Sequence, residues 1–461
     1  MNQKQIRRLF GTDGIRARAG DFPLDPATVQ TIGASLAEHL AEQSEGRAPR
    51  LVIGRDTRES GPAIEAALTR GARSRGAIVE SAGMITTPGV AFLAKSLPTD
   101  AGVVISASHN PYEDNGIKIF DPSGRKFDDA TERKIEADIF AERFKDESQT
   151  PVDEAGADSV GLDLREKYVA YLEHEVARDL SLRDLNIVLD CANGAASEVA
   201  PEVFNDLGAR VTAINHEPDG RNINLNAGSL HIEGLQHRVQ QSGADLGVAF
   251  DGDADRALFV DASGAFVDGD ATMWVLANFM KSRGELEGDL VVATVMTNLG
   301  LEVALRERGI KLARTDVGDK YVLDELLRSR SALGGEQSGH IIFPKVSLAG
   351  DGIVTALSLV RVMRAERKSL AELSRGFNRF PQVLINVKVR EKIPFHDLPT
   401  VQAKAREAEA SMGERGRLLL RYSGTESLAR VMVEGEHSAD VNAIANELAK
   451  VIKNEIGVAD S

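Results

Sequence analysis

RLVIGRDTRESGPAIEAALTRGAR, residues 50–73, carries three signals in one stretch. Leu51 to Ile53 is a short apolar run of strand length, residues 54–61 (GRDTRESG) are a polar loop, and Ala63 to Arg73 repeats apolar side chains at helical spacing. Strand, loop and helix in that order form the repeating unit of an α/β fold. The order returns near Asn186 and near Asp289, where Asn186 to Leu189 and Leu290 to Val295 are the strand-like runs. Gly102 to Ile105 supplies another strand in the first block, and Leu301 to Arg308 another amphipathic stretch in the third. The chain therefore reads as about three α/β blocks, too different in sequence to be called a repeat.

Beyond the blocks, the pattern changes twice. Residues 144–162 (FKDESQTPVDEAGADSVGL) are polar, acidic and poor in bulky apolar side chains, which predicts a linker. After Arg375 the run FPQVLINVKV alternates as a strand. A helix (398–412), two strands (417–421 and 428–434) and a terminal helix (438–456) follow, the outline of a small α+β domain. A length of 461 residues suits two to four domains, and 42% hydrophobic with 27% charged residues excludes global disorder. The net charge of −15 repels nucleic-acid backbones and anionic membranes, so neither is expected as a partner and any phosphate site must be built locally. Cys191 is the single cysteine and cannot close an intramolecular disulfide. The opening residues carry no signal-peptide apolar run, and no stretch reaches the length of a membrane span, so a cytoplasmic location is expected.

Asp251, Asp253 and Asp255 lie in FDGDADR, directly after the apolar run Leu246 to Phe250. In extended backbone, residues two apart point the same way, so three carboxylates can converge on one hard cation. A solvated acidic turn is the plain alternative, but like charges this close repel without a cation between them. An EF-hand fails on spacing, because position 6 is Arg256 and position 12 is Ala262 where that loop needs glycine and glutamate. Few carboxylates with room for another oxygen suit Mg²⁺.

Ser108 follows a buried strand in ISASHNPYEDNGIKIF, with His109, Asn110 and Lys118 nearby. Histidine and lysine can handle protons and anionic charge, which a hydroxyl needs to act as a nucleophile. Asn110-Pro111 marks a turn and places the serine on an exposed loop past a strand end. No G-x-S-x-G elbow is present, which weakens an ordinary hydrolase reading. Residues 421–434 (RYSGTESLARVMVE) put Ser423, Gly424 and Thr425 between two strands flanked by Arg421 and Arg430, either a hairpin with solvated arginines or an anion nest. GGEQSGH, residues 334–340, gathers Glu336, Gln337, Ser338 and His340 between glycines, able to read sugar hydroxyls, with His340 a proton shuttle or a structural histidine. Cys191 lacks the arginine that a C-x₅-R phosphatase requires, since position 197 is Ser197, and reads as packing. Arg16 in FGTDGIR, and Arg55 and Arg58 in GRDTRESG, sit in glycine-punctuated turns.

Taken in order, GTDGIR, GRDTRESG, SASHNP with NGIK, DCANGA, DGDADR, GEQSGH and RYSGTES resemble the α-D-phosphohexomutase superfamily over nearly the whole chain. Gln337 favours the glucosamine branch over the phosphomannomutase and phosphoglucomutase branch. The resemblance implies a heart-shaped α/β protein of three similar domains with mixed sheets and a smaller C-terminal domain. Its boundaries would fall at 1–155 (phosphoserine), 156–257 (metal), 258–374 (sugar) and 375–461 (phosphate). It further implies that Ser108 is a phosphoserine, that Asp251, Asp253 and Asp255 hold Mg²⁺ with a phosphoserine oxygen, and that Arg16, His109, Lys118 and Arg256 surround that phosphoserine. Lys118 and His340 would handle protons. Glu336 and Ser338 would hold sugar hydroxyls, and Arg421, Ser423, Gly424, Thr425 and Arg430 the non-reacting phosphate. The implied reaction interconverts glucosamine 6-phosphate and glucosamine 1-phosphate, with a hexose 1,6-bisphosphate as intermediate and activator, in a protein that is often a homodimer. A preference for mannose or glucose phosphates, or a sugar-phosphate binder without turnover, are the rivals. Ser427 stands where the superfamily often has proline, a change of loop stiffness.

Overall fold

The computed structural model describes residues 8–11, 13–43, 47–144, 157–423 and 427–458. The chain divides into two compact units, Met1–Val295 with Ala313–Ser374, and Met296–Leu312 with Arg375–Ser461.

The first unit holds three mixed sheets. The first has the spatial order Phe10–Gly11, Gly14–Arg18, Asp114–Phe120, Ala101–Ile105, Arg50–Arg55 and Ile78–Met84. Its last three strands are parallel to one another and the rest pair antiparallel. Parallel strands are covered on both faces, which is why Leu51 to Ile53 and Val103 to Ile105 are apolar without alternation and fully buried. Helices Pro26–Gln43 and Gly61–Ser74 pack Ile32, Leu36 and Leu68 into the same core as Ile53 and Ile105. The second sheet runs Phe266–Val267, Ala257–Asp261, Leu246–Phe250, Asn186–Asp190 and Arg210–Ile214. The third runs Lys311–Thr315, Leu290–Thr294, Leu333–Gly335 and Ile341–Ile342.

Three loops leave the carboxyl ends of parallel strands in these sheets: residues 106–110 after Ile105, 251–256 after Phe250, and 336–340 after Gly335. Open α/β sheets bind ligands at this edge, because the loops there are free to vary while the strands stay packed.

In the second unit, strands Gln382–Lys388, Leu428–Gly435 and Gly416–Tyr422 form an antiparallel sheet with Leu428–Gly435 in the centre. Helices Pro399–Met412 and Ser438–Ile456 flank it, and Val401, Val431, Val433, Leu448 and Ile452 make the core. Residues 296–312 belong to this unit as well. The Asn298 side chain donates to the Phe380 carbonyl (3.0 Å) and accepts from the Phe380 amide (2.9 Å).

One expectation fails in part. Helix Ala157–Tyr171 begins inside the stretch 144–162 that composition marks as a linker. Gly161 is buried, so close that a Cβ there would touch the Ala82 backbone at 3.4 Å. Tertiary packing thus recruits a segment whose own sequence is too polar to announce a helix. Among the described residues no helix is long and apolar enough to cross a membrane.

Candidate active site

Ser108 is fully buried rather than exposed as its loop position suggests, although Pro111 in the same loop does face solvent. Its φ of 54° lies in the left-handed region, which costs a non-glycine residue about 1–2 kcal/mol. That backbone is held by hydrogen bonds: the Ser108 amide donates to Ser106 Oγ (2.9 Å), and its carbonyl accepts from Arg58 Nη2 (3.0 Å) and Asn224 Nδ2 (2.9 Å). The side chain then faces the aspartates, Ser108 Oγ donating to Asp251 Oδ2 at 2.6 Å.

Asp251, Asp253 and Asp255 are buried and present one carboxylate oxygen each within 4.8 Å of one another. They converge through a turn, not through extended backbone: the Ala254 amide donates to the Asp251 carbonyl (3.1 Å) and Ala254 has φ 57°. Gly252 makes the turn possible, because a Cβ there would collide with the Ser108 carbonyl. Asp253 Oδ1 and Asp255 Oδ1 are buried without a hydrogen-bond partner among the described residues. Two carboxylate oxygens without a hydrogen bond, beside a serine hydroxyl and a third carboxylate, are a donor set for a hard dication, and the residues present fit one. Burial, then the charges of Asp255 and Asp253, push the Asp251 carboxyl well above the usual range. Burial acts the same way on Asp255, but Lys118 and His340 override it and hold that group well below.

Cations ring the triad. Lys118 Nζ lies 2.8 Å from Asp253 Oδ2, 3.5 Å from Asp255 Oδ2 and 3.2 Å from Asp13 Oδ2; these carboxylates outweigh its burial and keep it charged. Asp13, which carried no expectation, also pairs with Arg16 and Lys126, and Arg16 Nη1 reaches Asn110 Oδ1 at 3.5 Å. The Arg256 guanidinium stands 3.6 Å from Asp255 Oδ1 and 3.2 Å from His109 Nδ1. Burial, Arg256 and Arg16 push His109 down to about 4, so its ring is neutral near pH 7, and Nδ1 must be an acceptor because a guanidinium only donates. His109 Nδ1 is also 3.2 Å from Ser108 Oγ. His340 Nδ1 sits 3.6 Å from Asp255 Oδ1; burial lowers its pKa, but Asp255, Asp319 and Glu336 raise it to about 9. A cavity of about 610 Å³ is lined by Thr87, Lys126, Asp255, Asp319 and His340 among others.

Glu336 and Ser338 are half-buried on the third loop, where Glu336 Oε1 accepts from the Gly318 amide (3.1 Å) and Oε2 from Ser338 Oγ (3.4 Å). Gln337 is engaged elsewhere, its Nε2 donating to Asp270 Oδ2 at 3.0 Å. Arg55 pairs with Glu65 (3.0 Å), and Cys191 is buried packing.

In the second unit, Arg421 and Arg430 are direct cross-strand neighbours. Like charges in that position repel, and burial together with Arg430 lowers the Arg421 pKa. Ser423 is buried, and Lys392 Nζ donates to its carbonyl at 2.6 Å. Gly424 and Thr425 lie outside the described residues.

Models of the phosphoglucomutase/phosphomannomutase alpha/beta/alpha domains I, II and III match residues 7–146, 166–264 and 268–380, and the C-terminal domain model matches 384–451. A phosphoglucosamine mutase of Koribacter versatilis is 48% identical over 99% of this chain and 98% of its own. Among solved structures, a phosphoglucomutase/phosphomannomutase family protein of Burkholderia thailandensis superposes with a TM-score of 0.79 at 24% identity, covering 98% of this chain and 99% of its own. An Aspergillus fumigatus N-acetylphosphoglucosamine mutase, in complex with GlcNAc-6P and magnesium, does so with a TM-score of 0.66 at 18% identity, covering 97% and 95%.

Proposed function

Since the chain belongs to the phosphoglucomutase/phosphomannomutase family, we propose that it interconverts glucosamine 6-phosphate and glucosamine 1-phosphate, carrying the phosphoryl group on Ser108 between the two. The relatives named phosphoglucosamine mutase support the amino-sugar substrate. The observation that carries the mechanism is the 2.6 Å hydrogen bond from Ser108 Oγ to Asp251, inside a triad fitted to a dication. The reaction belongs to the cytoplasm, in keeping with a lone buried cysteine.

In the forward direction the C1 hydroxyl oxygen of glucosamine 6-phosphate attacks the phosphorus of phosphoserine and gives its proton to the neutral form of His340, the P–Oγ bond breaks, Ser108 Oγ takes a proton from the Asp251 carboxyl, and the 1,6-bisphosphate forms. After the sugar reverses, Ser108 Oγ attacks the phosphorus of the C6 phosphoryl group and returns its proton to Asp251, the P–O6 bond breaks, and glucosamine 1-phosphate leaves. Lys118, held charged, and Arg256 and Arg16 neutralise the transferring group, the main task in phosphoryl transfer. His340, protonated near neutral pH, supplies the proton to the departing sugar oxygen. His109, neutral, orients against Arg256. Mg²⁺ held by Asp251, Asp253, Asp255 and a Ser108-bound oxygen would withdraw charge from the phosphoryl group. Glu336 and Ser338 hold sugar hydroxyls, while Arg421, Ser423, Gly424, Thr425 and Arg430 grip whichever phosphate is not reacting. A hexose 1,6-bisphosphate loads Ser108 at the start.

Turnover with Mg²⁺ and a trace of bisphosphate, compared across glucosamine 6-phosphate, glucose 1-phosphate and mannose 1-phosphate, tests the substrate. The expected preference is for glucosamine; preference for a neutral hexose keeps the chemistry and overturns the substrate. Ser108→Ala should lose on the order of 10³-fold or more of turnover and take no label from bisphosphate. Undiminished turnover in that variant would sink the phosphoserine mechanism.

A further inference from the structure

Two motifs, GRDTRESG and DCANGA, have no part in the chemistry above, yet the first holds the serine loop directly and the second holds it through Asn224. Arg58, in the first, is 1% exposed and engages all five guanidinium N–H groups. Nε donates to Asp56 Oδ2 (2.9 Å); Nη1 donates to the carbonyls of Pro111 and Asp114 (3.0 Å to the latter); Nη2 donates to the carbonyls of Ser108 (3.0 Å) and Asn110 (2.9 Å). Asp56 takes part as well, accepting from Ser106 Oγ (2.7 Å), the hydroxyl that receives the Ser108 amide.

From the turn that follows strand Arg210–Ile214, Asn224 Nδ2 reaches the same two carbonyls, Ser108 at 2.9 Å and Asn110 at 3.0 Å. Asn224 is fixed in turn by DCANGA: its amide donates to the Ala192 carbonyl (2.8 Å), and Thr57 Oγ1, next to Arg58, donates to the Asn193 carbonyl (2.6 Å). The left-handed Ser108 backbone therefore has its amide held by one chain of bonds and its carbonyl by side chains from two separate loops.

We propose that Arg58 and Asn224 are positioning residues that clamp the Ser108 peptide from two sides and keep its hydroxyl on Asp251. This rests on Ser108 being the phosphoryl acceptor. A strained conformation persists only where its surroundings over-determine it, and a nucleophile displaced by about 1 Å loses on the order of 10²-fold in rate. Arg58 spends its donors on Asp56 and backbone carbonyls, and Asn224 Nδ2 on backbone carbonyls, so the clamp governs the chemical step and not substrate affinity.

Asn224→Ala removes one arm and leaves Arg58 in place; Arg58→Lys replaces a five-donor fork by a point charge that cannot reach the same set of carbonyls. Each is assayed as the full-length protein with Mg²⁺, at least ten degrees below its own Tm, for kcat, KM and the single-turnover rate of Ser108 labelling by glucose 1,6-bisphosphate. For Asn224→Ala the clamp predicts kcat and labelling rate lower by about ten- to a hundredfold, with KM within about twofold of wild type. Arg58→Lys shifts the same way and further; should it fail to fold, Asn224→Ala decides alone. Labelling of both variants at the wild-type rate, or activity lost only in proportion to folded fraction, overturns the clamp while phosphoserine stands. A wild-type protein that takes no label overturns the phosphoserine reading and the clamp with it.

Discussion

The Ser108 centre and the Arg421–Arg430 hairpin both handle phosphate in the proposed cycle, and they are built in opposite ways. The centre is buried, its serine backbone pinned by Ser106, Arg58 and Asn224, and its three carboxylates in one turn are interleaved with Lys118, Arg256 and His340. The hairpin is half-exposed, and two arginines face each other across its antiparallel strands. The carboxylates of the one would gather a cation, and the arginines of the other an anion. The centre must place one oxygen on one phosphorus, so it is rigid before the ligand arrives. The hairpin must accept a phosphate from either end of a sugar, so charge suffices where shape would hinder.

The largest test of this contrast is Asp251→Asn. It removes the acceptor of the Ser108 proton and one proposed metal ligand, so kcat should fall on the order of 10³-fold. Stability in metal-free buffer should move the other way, with Tm equal to or above wild type at neutral pH, because a buried carboxyl raised well above its usual range costs the fold stability there and the amide does not. Saturating Mg²⁺ should then raise the wild-type Tm, by the equivalent of about 2.7 kcal/mol at a hundred times Kd, and leave the variant nearly unmoved. A variant Tm that falls in metal-free buffer would show that the buried Asp251 carboxyl does not cost the fold stability.

Much of this centre is legible in the sequence, and the part that is not has a physical reason. The apolar runs from Leu246 to Phe250 and from Leu290 announce buried strands, and the aspartate spacing announces the triad. Arg58, Asn224 and Asp13 leave no such trace. Arg58 and Asn224 work on backbone carbonyls of Ser108 and Asn110, which every residue type possesses, and Asp13 meets Lys118 and Lys126 only after the first sheet has formed. The burial of Ser108 was hidden for the same reason, since the turn at Asn110-Pro111 looks like surface until Gly252 packs on the Ser108 carbonyl. The helix from Ala157 was missed because its first turns are polar and gain their order from the strand beside them.

A buried carboxyl also stands at Asp351, which caps helix Gly352–Glu366 through the amides of Ile353 and Val354 and accepts from Tyr168 Oη at 2.8 Å. Burial pushes its pKa up to about 6 despite those bonds. A carboxyl raised above its unfolded value stabilises the fold fully below about pH 4 and loses that contribution as pH rises through about 6, up to about 3 kcal/mol. Asp351→Asn keeps an equally good cap without the charge. Urea denaturation should show the variant gaining on wild type from pH 5 to pH 8; parallel curves would mean that Asp351 ionises normally.

At the hairpin, Arg421→Ala should raise KM for the sugar phosphate about ten- to a hundredfold, the worth of a charge-assisted contact, with kcat changed much less. Its Tm should not fall, because the cross-strand repulsion with Arg430 disappears. A kcat loss matching that of Asp251→Asn would erase the distinction between a rigid chemical centre and an adaptable charge site.

The smallest effect expected is at Gln337, the residue that separates the glucosamine branch in sequence. Its amide donates to the buried Asp270, and its carbonyl accepts from the Gly269 amide at 3.0 Å, so it ties the sugar loop to the start of helix Gly269–Ser282. An amide so engaged shapes the loop that carries Glu336 and Ser338 instead of reading the amino group itself. Gln337→Met keeps the volume and removes the donor, at a cost of about 1 kcal/mol in stability. All sugar phosphates should then suffer alike, with the ratio of kcat/KM for glucosamine 6-phosphate over glucose 1-phosphate held within about threefold, since the loop holds them all. A tenfold collapse of that ratio would place the amide on the sugar and make the Asp270 bond its resting state.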